Sequence, residues 1–280
     1  MRRTLETGDF VRRYGAWATV AGASEGLGAA FAAGLAARGM NLLLLARRAD
    51  RLDEVARRIR EERGVEVRCL SIDVADPGVA RALTDAAADL EIGVLVYNAA
   101  YSPIGNFLDL PQEELLQVVD VNVRAPIVFI HSLVPAMLER RRGAVVLMSS
   151  LAGLQGAPRI ATYAASKAFN TILAEGLWGE LQHSGIDVLA TCAGAIRTPG
   201  YAQTSAHEAP GMLDPVDVAQ QTLAALGRGP RVVPGLLNRL ASVVTGRLLP
   251  RRAAIRLMAA NTKDLAANTR NPAASSQKLT

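Results

Sequence analysis

Lysine, cysteine and long apolar runs are scarce in this sequence. Its 280 residues include 28 arginines but only three lysines, Lys167, Lys263 and Lys278. Two cysteines, Cys69 and Cys192, are too few for a disulfide framework or a cysteine metal cluster, so we expect reduced thiols and no metal site. No apolar run approaches the ~18 residues of a membrane span, and no apolar stretch near the start suggests a signal peptide. We therefore expect a cytoplasmic protein without a membrane span.

The charge is unevenly distributed. From Arg228 onward the chain has ten Lys or Arg residues and one acid, Asp264, whereas the rest carries a net charge of −4. Aromatic residues make up only 4% of the chain and do not interleave with the basic stretch, which argues against a nucleic-acid partner. A solvated helix face is the simplest interpretation of the basic end, with anionic lipid or an acidic ligand as alternatives.

One of the three lysines follows a tyrosine by four residues. Tyr163 and Lys167 lie in a segment with a helical pattern, so the phenol and the ammonium share one face. Upstream, Ser150 ends the apolar run AVVLMSS, which predicts a buried strand. A phenol has a pKa near ~10, so acid–base chemistry at neutral pH needs a shift of roughly 3 units. A nearby ammonium favours the phenolate, and a hydroxyl can orient a substrate oxygen.

Such a pair on its own is more often an amphipathic core residue and a solvated charge. A neighbouring cofactor site would favour the catalytic interpretation, and the sequence predicts one. The apolar run AWATVA predicts a strand that continues into GASEGLG and then into a helix of small residues. Strand, glycine turn and helix form the context of a dinucleotide site, where the helix N-terminus binds phosphate. The predicted contacts are Gly22, Ser24, Gly26, Leu27 and Gly28.

The next predicted strand, over 41–45, is followed by two arginines. About 20 residues after the glycines, an acid binds the ribose 2′-hydroxyl of NAD, whereas arginine accommodates the 2′-phosphate of NADP. Arg47 and Arg48 occupy this region and favour NADP, with NAD as the less favoured cofactor. Asp50 is more simply the N-cap of the following helix.

Strand and helix patterns alternate along the chain. This alternation predicts a doubly wound α/β fold of the Rossmann type, a parallel sheet with helices on both faces in three layers. Further strands are predicted at 65–70, 92–97, the run ending at Ser150, 186–192 and 231–233. Ligands of such folds gather at the carboxyl ends of the strands.

Several other candidate residues follow these strands. Asp73 can bind an adenine amino group, with Val74 beside it, and Asp76 is a better cap than Asp73 for a helix starting near Pro77. Asn98 and Ala99 are small or polar where a cofactor would lie close. A helix over 112–123 contains Asn122, a polar residue that needs partners if it is buried.

The second half of the chain carries the tyrosine and the substrate region. A long helix is predicted over 161–183 and another over 215–226. The segment 199–215 is rich in Gly, Pro, Ser and Ala, which is typical of a mobile loop over a substrate.

Beyond Pro234, apolar positions 236, 237, 240, 243 and 244 predict an amphipathic helix that stops near Pro250. We expect it to cap the substrate cleft; contact with a subunit partner and contact with a membrane surface are the alternatives, in that order. We expect a single domain with its core at about 15–235, an extension over 236–267 and a disordered tail over 268–280.

AGASEGLG, YNAA, Asn122, Ser150 and Tyr163-x-x-x-Lys167 occur together in this order. In order and spacing they resemble the short-chain dehydrogenase/reductase family over residues 15 to 235. The resemblance implies that Ser150 orients a carbonyl oxygen and that Tyr163 donates or removes its proton. It implies that Lys167 lowers the tyrosine pKa and holds the nicotinamide ribose, and that Asn122 holds a water next to this lysine. It also implies a homodimer or homotetramer.

The segment from Ala193 to Thr198 is similar to the family's Pro-Gly-x-x-x-Thr motif, which implies that Thr198 contacts the nicotinamide amide. Three positions depart from the family pattern. Ala21 replaces the usual threonine, and Tyr97 begins a tetrad, YNAA, that is usually Asn-Asn-Ala-Gly. Glu25 lies where many NADP-using relatives carry a basic residue, so Arg47 and Arg48 must supply the 2′-phosphate site alone.

The segment RYGAWATVAGAS, which leads into the first strand and glycine loop, and the long C-terminal tail more loosely resemble those of 3-ketoacyl reductases and hydroxysteroid dehydrogenases. This resemblance implies an apolar carbonyl or alcohol as the small-molecule substrate. The sequence therefore predicts an NADP-dependent oxidoreductase that interconverts a ketone or aldehyde and an alcohol, with Tyr163 as the acid–base group. The alternatives are an NAD-dependent epimerase or dehydratase, for which too few residues follow Gly194, and a catalytically silent NADP sensor.

Overall fold

Seven parallel strands form one sheet at the centre of the computed structural model, which describes residues 7–205, 208–263 and 265. The strand order is β3-β2-β1-β4-β5-β6-β7. The strands are β1 Trp17–Ala21, β2 Asn41–Ala46, β3 Val67–Ser71, β4 Ile92–Tyr97, β5 Gly143–Ser150, β6 Ile186–Ala193 and β7 Arg231–Val232. The predicted doubly wound α/β fold is therefore confirmed.

Helices connect the strands and cover both faces of the sheet. They are α1 Thr7–Tyr14, α2 Gly26–Ala36, α3 Ala49–Arg63, α4 Val79–Ala87, α5 Gln112–Val119, α6 Ala125–Glu139, α7 Ala161–Leu181, α8 Pro199–Ala202, α9 Pro215–Ala225, α10 Leu236–Val243 and α11 Arg251–Thr262. Two buried apolar clusters fill the space between the helices and the two faces of the sheet. The central strands β1, β4 and β5 are almost entirely buried, which explains why each is a continuous apolar run.

The strand order reverses between β1 and β4, and this reversal positions the candidate site. Ala21, the last residue of β1, pairs with Leu45 on one side and with Tyr97 on the other. The glycine loop after β1 and the segment after β4 therefore leave the sheet side by side. Ser150 ends β5 next to them in the sheet order. Such a switch point is where doubly wound folds bind their ligands.

Two predicted helix caps are wrong. Helix α3 starts two residues earlier than expected, so Arg48 is its N-cap and Asp50 lies in the first turn. Helix α4 starts at Val79 with Gly78 as N-cap, and Asp76 instead accepts a hydrogen bond of 2.6 Å from the Gly78 amide. In both places an Asp close to the helix start suggested the cap, but the chain enters the helix elsewhere.

The helix predicted over 112–123 continues further. A π-helical turn, Asp120–Arg124, joins α5 to α6 and carries Asn122. The joined helix, Gln112–Glu139, has 28 residues and is apolar enough to span a membrane by length and composition. It packs against the sheet through buried residues such as Val118, Ala125 and Phe129, as the core helix of a layered fold does.

The extension after Pro234 contains two helices rather than the single one predicted. Helix α10 runs into a π-helical segment, Val244–Leu248, and α11 follows Pro250. Ala254 and Thr262 of α11 are buried, and Arg251 donates a hydrogen bond of 2.7 Å to the Leu154 carbonyl. The proline ends the first helix as expected, but the apolar pattern beyond it was too weak to predict α11. The predicted disordered tail, 268–280, lies outside the described residues.

Arg159 holds the end of α11 against the start of α7. Its Nη1 donates hydrogen bonds to the carbonyls of Thr262 at 2.9 Å and Lys263 at 2.6 Å, and its own carbonyl accepts one of 2.9 Å from Gly105. The φ of Arg159 is 68°, a left-handed conformation that costs a non-glycine residue about 1–2 kcal/mol. Hydrogen bonds from a charged group contribute about 1.5–3 kcal/mol each, which offsets this cost.

We predict that Arg159→Met loosens α11, because methionine keeps the length of the side chain but has no donor. Amide exchange over 251–263, measured by hydrogen–deuterium exchange, should accelerate by roughly tenfold or more. Arg252→Met, on the exposed side of the same helix, is the matched control and should leave exchange unchanged. Equal amide exchange in Arg159→Met and the unmodified protein would show that the Arg159 hydrogen bonds do not hold α11 in place.

Candidate active site

The glycine loop after β1 leaves no room for side chains. Gly22 has a φ of 80°, and a Cβ there would lie 2.8 Å from the Ala99 backbone nitrogen. A Cβ on Gly28 would overlap the carbonyl oxygen of Gly22. That carbonyl also accepts a hydrogen bond of 3.0 Å from Asn98 Nδ2, which fixes the loop to the end of β4.

Helix α2 begins at Gly26, directly after this loop. Its N-cap, Glu25, makes no side-chain hydrogen bond to the first turn, and the turn contains no acidic residue. The amide groups of the first turn are thus not capped by a side chain, which suits a phosphate group. Leu27 is buried in one of the two apolar clusters and so attaches this turn to the core. These residues fit the pyrophosphate of a dinucleotide.

Arg47 and Arg48 lie at the end of β2 beside the loop. Their side chains are 64% and 50% exposed, so a ligand can reach both. Each faces a carboxylate: Arg48 Nη2 lies 2.8 Å from Glu25 Oε2, and Arg47 Nη1 lies 3.8 Å from Asp73 Oδ2. Exposed ion pairs contribute at most about 1 kcal/mol, so a doubly charged phosphate can compete for these arginines. The sequence showed only that Glu25 departs from the family pattern. Its ion pair with Arg48 could not be predicted from the sequence.

The other predicted cofactor residues lie around the same crevice. Asp73 Oδ1 accepts a hydrogen bond of 3.0 Å from the Ala75 amide, and Val74 is buried. The methyl group of Thr198 lies beside Gly26, and its hydroxyl accepts a hydrogen bond of 3.2 Å from the Tyr201 amide. Thr198 is therefore close to the glycine loop, but in this structure its hydroxyl caps α8.

Ser150, Tyr163 and Lys167 come together where α7 crosses the end of β5. The hydroxyl of Ser150 faces the phenol of Tyr163 and favours its ionised form. Lys167 Nζ lies 5.4 Å from the centroid of the Tyr163 ring and donates a hydrogen bond of 2.9 Å to the Met148 carbonyl. Lys167 is only 3% exposed. The predicted helical face and the predicted strand end thus bring the three residues together.

The pKa shifts differ from those expected from the sequence. Burial raises the pKa of Tyr163, although the hydroxyl of Ser150 opposes this. Burial also lowers the pKa of Lys167 to about 8. Both shifts favour the neutral forms, because removing water penalises phenolate and ammonium alike. Lys167 Nζ faces the ring of Tyr163 and bonds the Met148 carbonyl, so the predicted lowering of the tyrosine pKa by this lysine stays a prediction.

Asn122 is buried and its side chain is occupied by protein partners. Its Oδ1 accepts a hydrogen bond of 2.8 Å from the Tyr101 amide, and its Nδ2 donates to the Tyr101 carbonyl and to Ser166 Oγ, both at 2.9 Å. Ser166 in turn donates to the Tyr163 carbonyl at 2.7 Å. Asn122 therefore supports the first turn of α7, and its proposed contact with a water stays a prediction.

Several residues that support the site were not predicted from the sequence. Ser149 Oγ donates to the Lys167 carbonyl at 2.7 Å and shares a hydrogen bond of the same length with Thr171. Tyr97, which replaces the family's asparagine, donates to the Val121 carbonyl at 2.6 Å. A polar residue inside an otherwise apolar strand run was the available signal for Ser149. The π-helical turn that contains Val121 left no sequence signal.

An apolar wall lies beside the tyrosine. Ile160 and Ala164 belong to a small buried cluster, against which Tyr163, Met258 and Leu265 pack. A shallow depression between the segments 103–115 and 159–163 is also lined by Tyr163, but not by Ser150 or Lys167. In the described part of the chain no three His, Cys, Asp or Glu residues are grouped so as to hold a metal ion.

Comparison with known proteins agrees with this arrangement. The short chain dehydrogenase family matches residues 16–209. The 7beta-hydroxysteroid dehydrogenase of Clostridium sardiniense is 34% identical over 234 residues, which cover 82% of this chain and 90% of that protein.

Two solved structures have the same fold. A structure from a study of 7beta-hydroxysteroid dehydrogenase stereoselectivity has a TM-score of 0.84 at 29% identity, covering 89% of this chain and 98% of its own. A short-chain dehydrogenase from Sphingobium yanoikuyae in complex with NADPH has a TM-score of 0.73 at 30% identity, covering 82% and 93%. The chain thus belongs to the short-chain dehydrogenase/reductase family of NAD(P)-dependent oxidoreductases.

Proposed function

We propose that this protein is an NADP-dependent carbonyl reductase or alcohol dehydrogenase, acting on an apolar ketone or alcohol through Tyr163. The observation that carries the proposal is the grouping of Tyr163 with Ser150 and Lys167, next to an apolar wall. This group of residues lies at the same sheet edge as the glycine loop.

The side chains divide the work on the substrate oxygen. Ser150 orients the carbonyl oxygen, and Tyr163 donates its proton as charge develops there. Because burial raises the pKa of Tyr163, the phenol is protonated at neutral pH and ready for reduction. Below its pKa of about 8, Lys167 carries the positive charge that favours the phenolate left behind. NADPH, when bound, supplies the hydride for the carbonyl carbon.

The apolar wall supports a hydrophobic substrate. Met258 and Leu265 come from the C-terminal extension, so the cover of the cleft is itself apolar. The similarity to a 7beta-hydroxysteroid dehydrogenase supports a bulky fused-ring ketone or alcohol as the substrate class. A panel of ketones of increasing size, assayed by NADPH absorbance, tests this choice.

Tyr163→Phe removes the proposed proton donor and keeps the aromatic ring. We expect its turnover to fall by roughly 10²–10⁴-fold, since general acid–base catalysis contributes about that much, while NADPH binding measured by fluorescence stays within about twofold. Tyr14→Phe is the control: it removes a phenol that bonds Asp187 at the amino end of β6, far from the site, and should keep its turnover. A Tyr163→Phe protein with most of its rate would refute the assignment.

The ion pair between Glu25 and Arg48 predicts how cofactor choice can be changed. Glu25→Gln should free Arg48 and improve NADPH over NADH, by roughly twofold to tenfold in the ratio of Kd values, because the competing carboxylate is lost. Arg48→Ala should shift the ratio the other way. Glu54→Gln, which breaks the exposed pair with Arg51, serves as the control. Equal changes for NADPH and NADH in both site variants would contradict the NADP assignment.

A further inference from the structure

Helix α10 presents its apolar side to the solvent. Leu236, Leu240 and Val243 are 80%, 62% and 44% exposed, and they lie at positions i, i+4 and i+7 on one stripe. Asn238, on the opposite side of the helix, is only 4% exposed and donates a hydrogen bond of 3.1 Å to the Gly211 carbonyl. A surface helix normally buries its leucine side chains and exposes polar side chains such as asparagine. The reversed orientation of α10 suggests that another apolar phase covers it.

The exposed apolar residues continue after α10. Leu237, Leu248 and Leu257 are 67%, 70% and 44% exposed. Of the thirteen exposed large hydrophobic residues in the described chain, six therefore lie within 236–257, a segment that we call the outer face. This concentration exceeds the scattered apolar residues of an ordinary surface.

The charge of the same region is of one sign. Residues 228–263 contain seven arginines and one lysine but no aspartate or glutamate. Arg247, Arg252 and Arg256 are exposed within the outer face, and no ion pair joins them to another described residue. Leucines interspersed with unpaired cations are the composition of a helix that lies on an anionic lipid surface.

Two other occupants fit less well. The remainder of the chain, 266–280, contains one leucine, two cations and mostly small or polar residues, so it offers little apolar surface to α10. A second copy that packs by the same face would bring two sets of cations together without any acids to pair them, and like charges oppose such an interface. An anionic bilayer supplies both the apolar phase and the negative charge.

We infer that the outer face, 236–257, docks this protein peripherally on anionic lipid membranes. From the pattern alone a membrane contact ranked behind a cleft cover and a subunit contact, but the two helices divide the roles of cleft cover and membrane contact. Helix α11 directs Met258 towards the cluster that contains Tyr163, whereas α10 directs its leucines outward. Docking brings the cleft cover next to the bilayer, where an apolar substrate would be dissolved.

Vesicle co-sedimentation of the full-length protein tests the inference without any assay of turnover. We expect binding to phosphatidylcholine vesicles that contain about one third phosphatidylglycerol, no binding to phosphatidylcholine alone, and release at high salt, because the attraction is partly electrostatic. No binding to the anionic vesicles, or equal binding to both kinds, would overturn the proposal.

Paired variants localise the contact. Leu236→Ser with Leu240→Ser, and separately Arg247→Gln with Arg252→Gln, should each raise the lipid concentration for half-binding by about tenfold. The controls, Leu108→Ser with Val216→Ser and Arg58→Gln with Arg63→Gln, remove equally exposed residues elsewhere and should change it less than twofold.

Two outcomes of the variant series would count against the outer face. Equal losses in the site and control variants would mean that the contact lies elsewhere. A change from oligomer to monomer in the leucine variant, seen by size-exclusion chromatography without any lipid binding, would instead assign the face to a second copy. Turnover of a soluble ketone should survive in all variants, so failure here leaves the proposed reaction untouched.

Discussion

The hydrogen bond from the buried Lys167 ammonium to the Met148 carbonyl joins the two elements that build the site. It ties α7 to β5, and Ser149 strengthens the same junction from the strand side by bonding the Lys167 carbonyl. The position of Tyr163 relative to Ser150 depends on this junction, because one residue lies on the helix and the other at the end of the strand. A buried charge is costly, and the hydrogen bond to the Met148 carbonyl offsets part of that cost.

Burial also sets the electrostatics of the pair. The pKa of Lys167 is lowered from 10.5 to about 8, so between these values the unfolded chain binds the proton more tightly than the folded protein. The free energy of unfolding therefore rises as the pH increases from about 8 to 10.5. Below about pH 8 the buried ammonium lowers the stability of the folded state by its full cost, roughly 3 kcal/mol. The same burial keeps Tyr163 protonated. The site thus places a protonated phenol next to a lysine whose charge changes near pH 8.

Sequence patterns predicted the strands of the sheet well, but they did not predict the long-range contacts that position the surrounding helices and side chains. Buried parallel strands are apolar on both faces, so β1, β2, β4 and β5 were visible as runs, and the glycine loop and the Tyr163–Lys167 spacing are local features. The π-helical turn at Asn122, the direction of the Lys167 side chain and the outward stripe of α10 depend on packing partners far away in sequence. A helical pattern shows that a helix has an apolar side, but not which side faces the protein.

The most direct test of the account is a pH titration of the lysine ε-carbon signals by ¹³C NMR, which is tractable because the chain has only three lysines. The account predicts one signal that titrates near pH 8, absent from Lys167→Arg and retained in Lys263→Arg. The absence of such a signal, or its persistence in Lys167→Arg, would contradict the claim that a buried Lys167 ammonium organises the site.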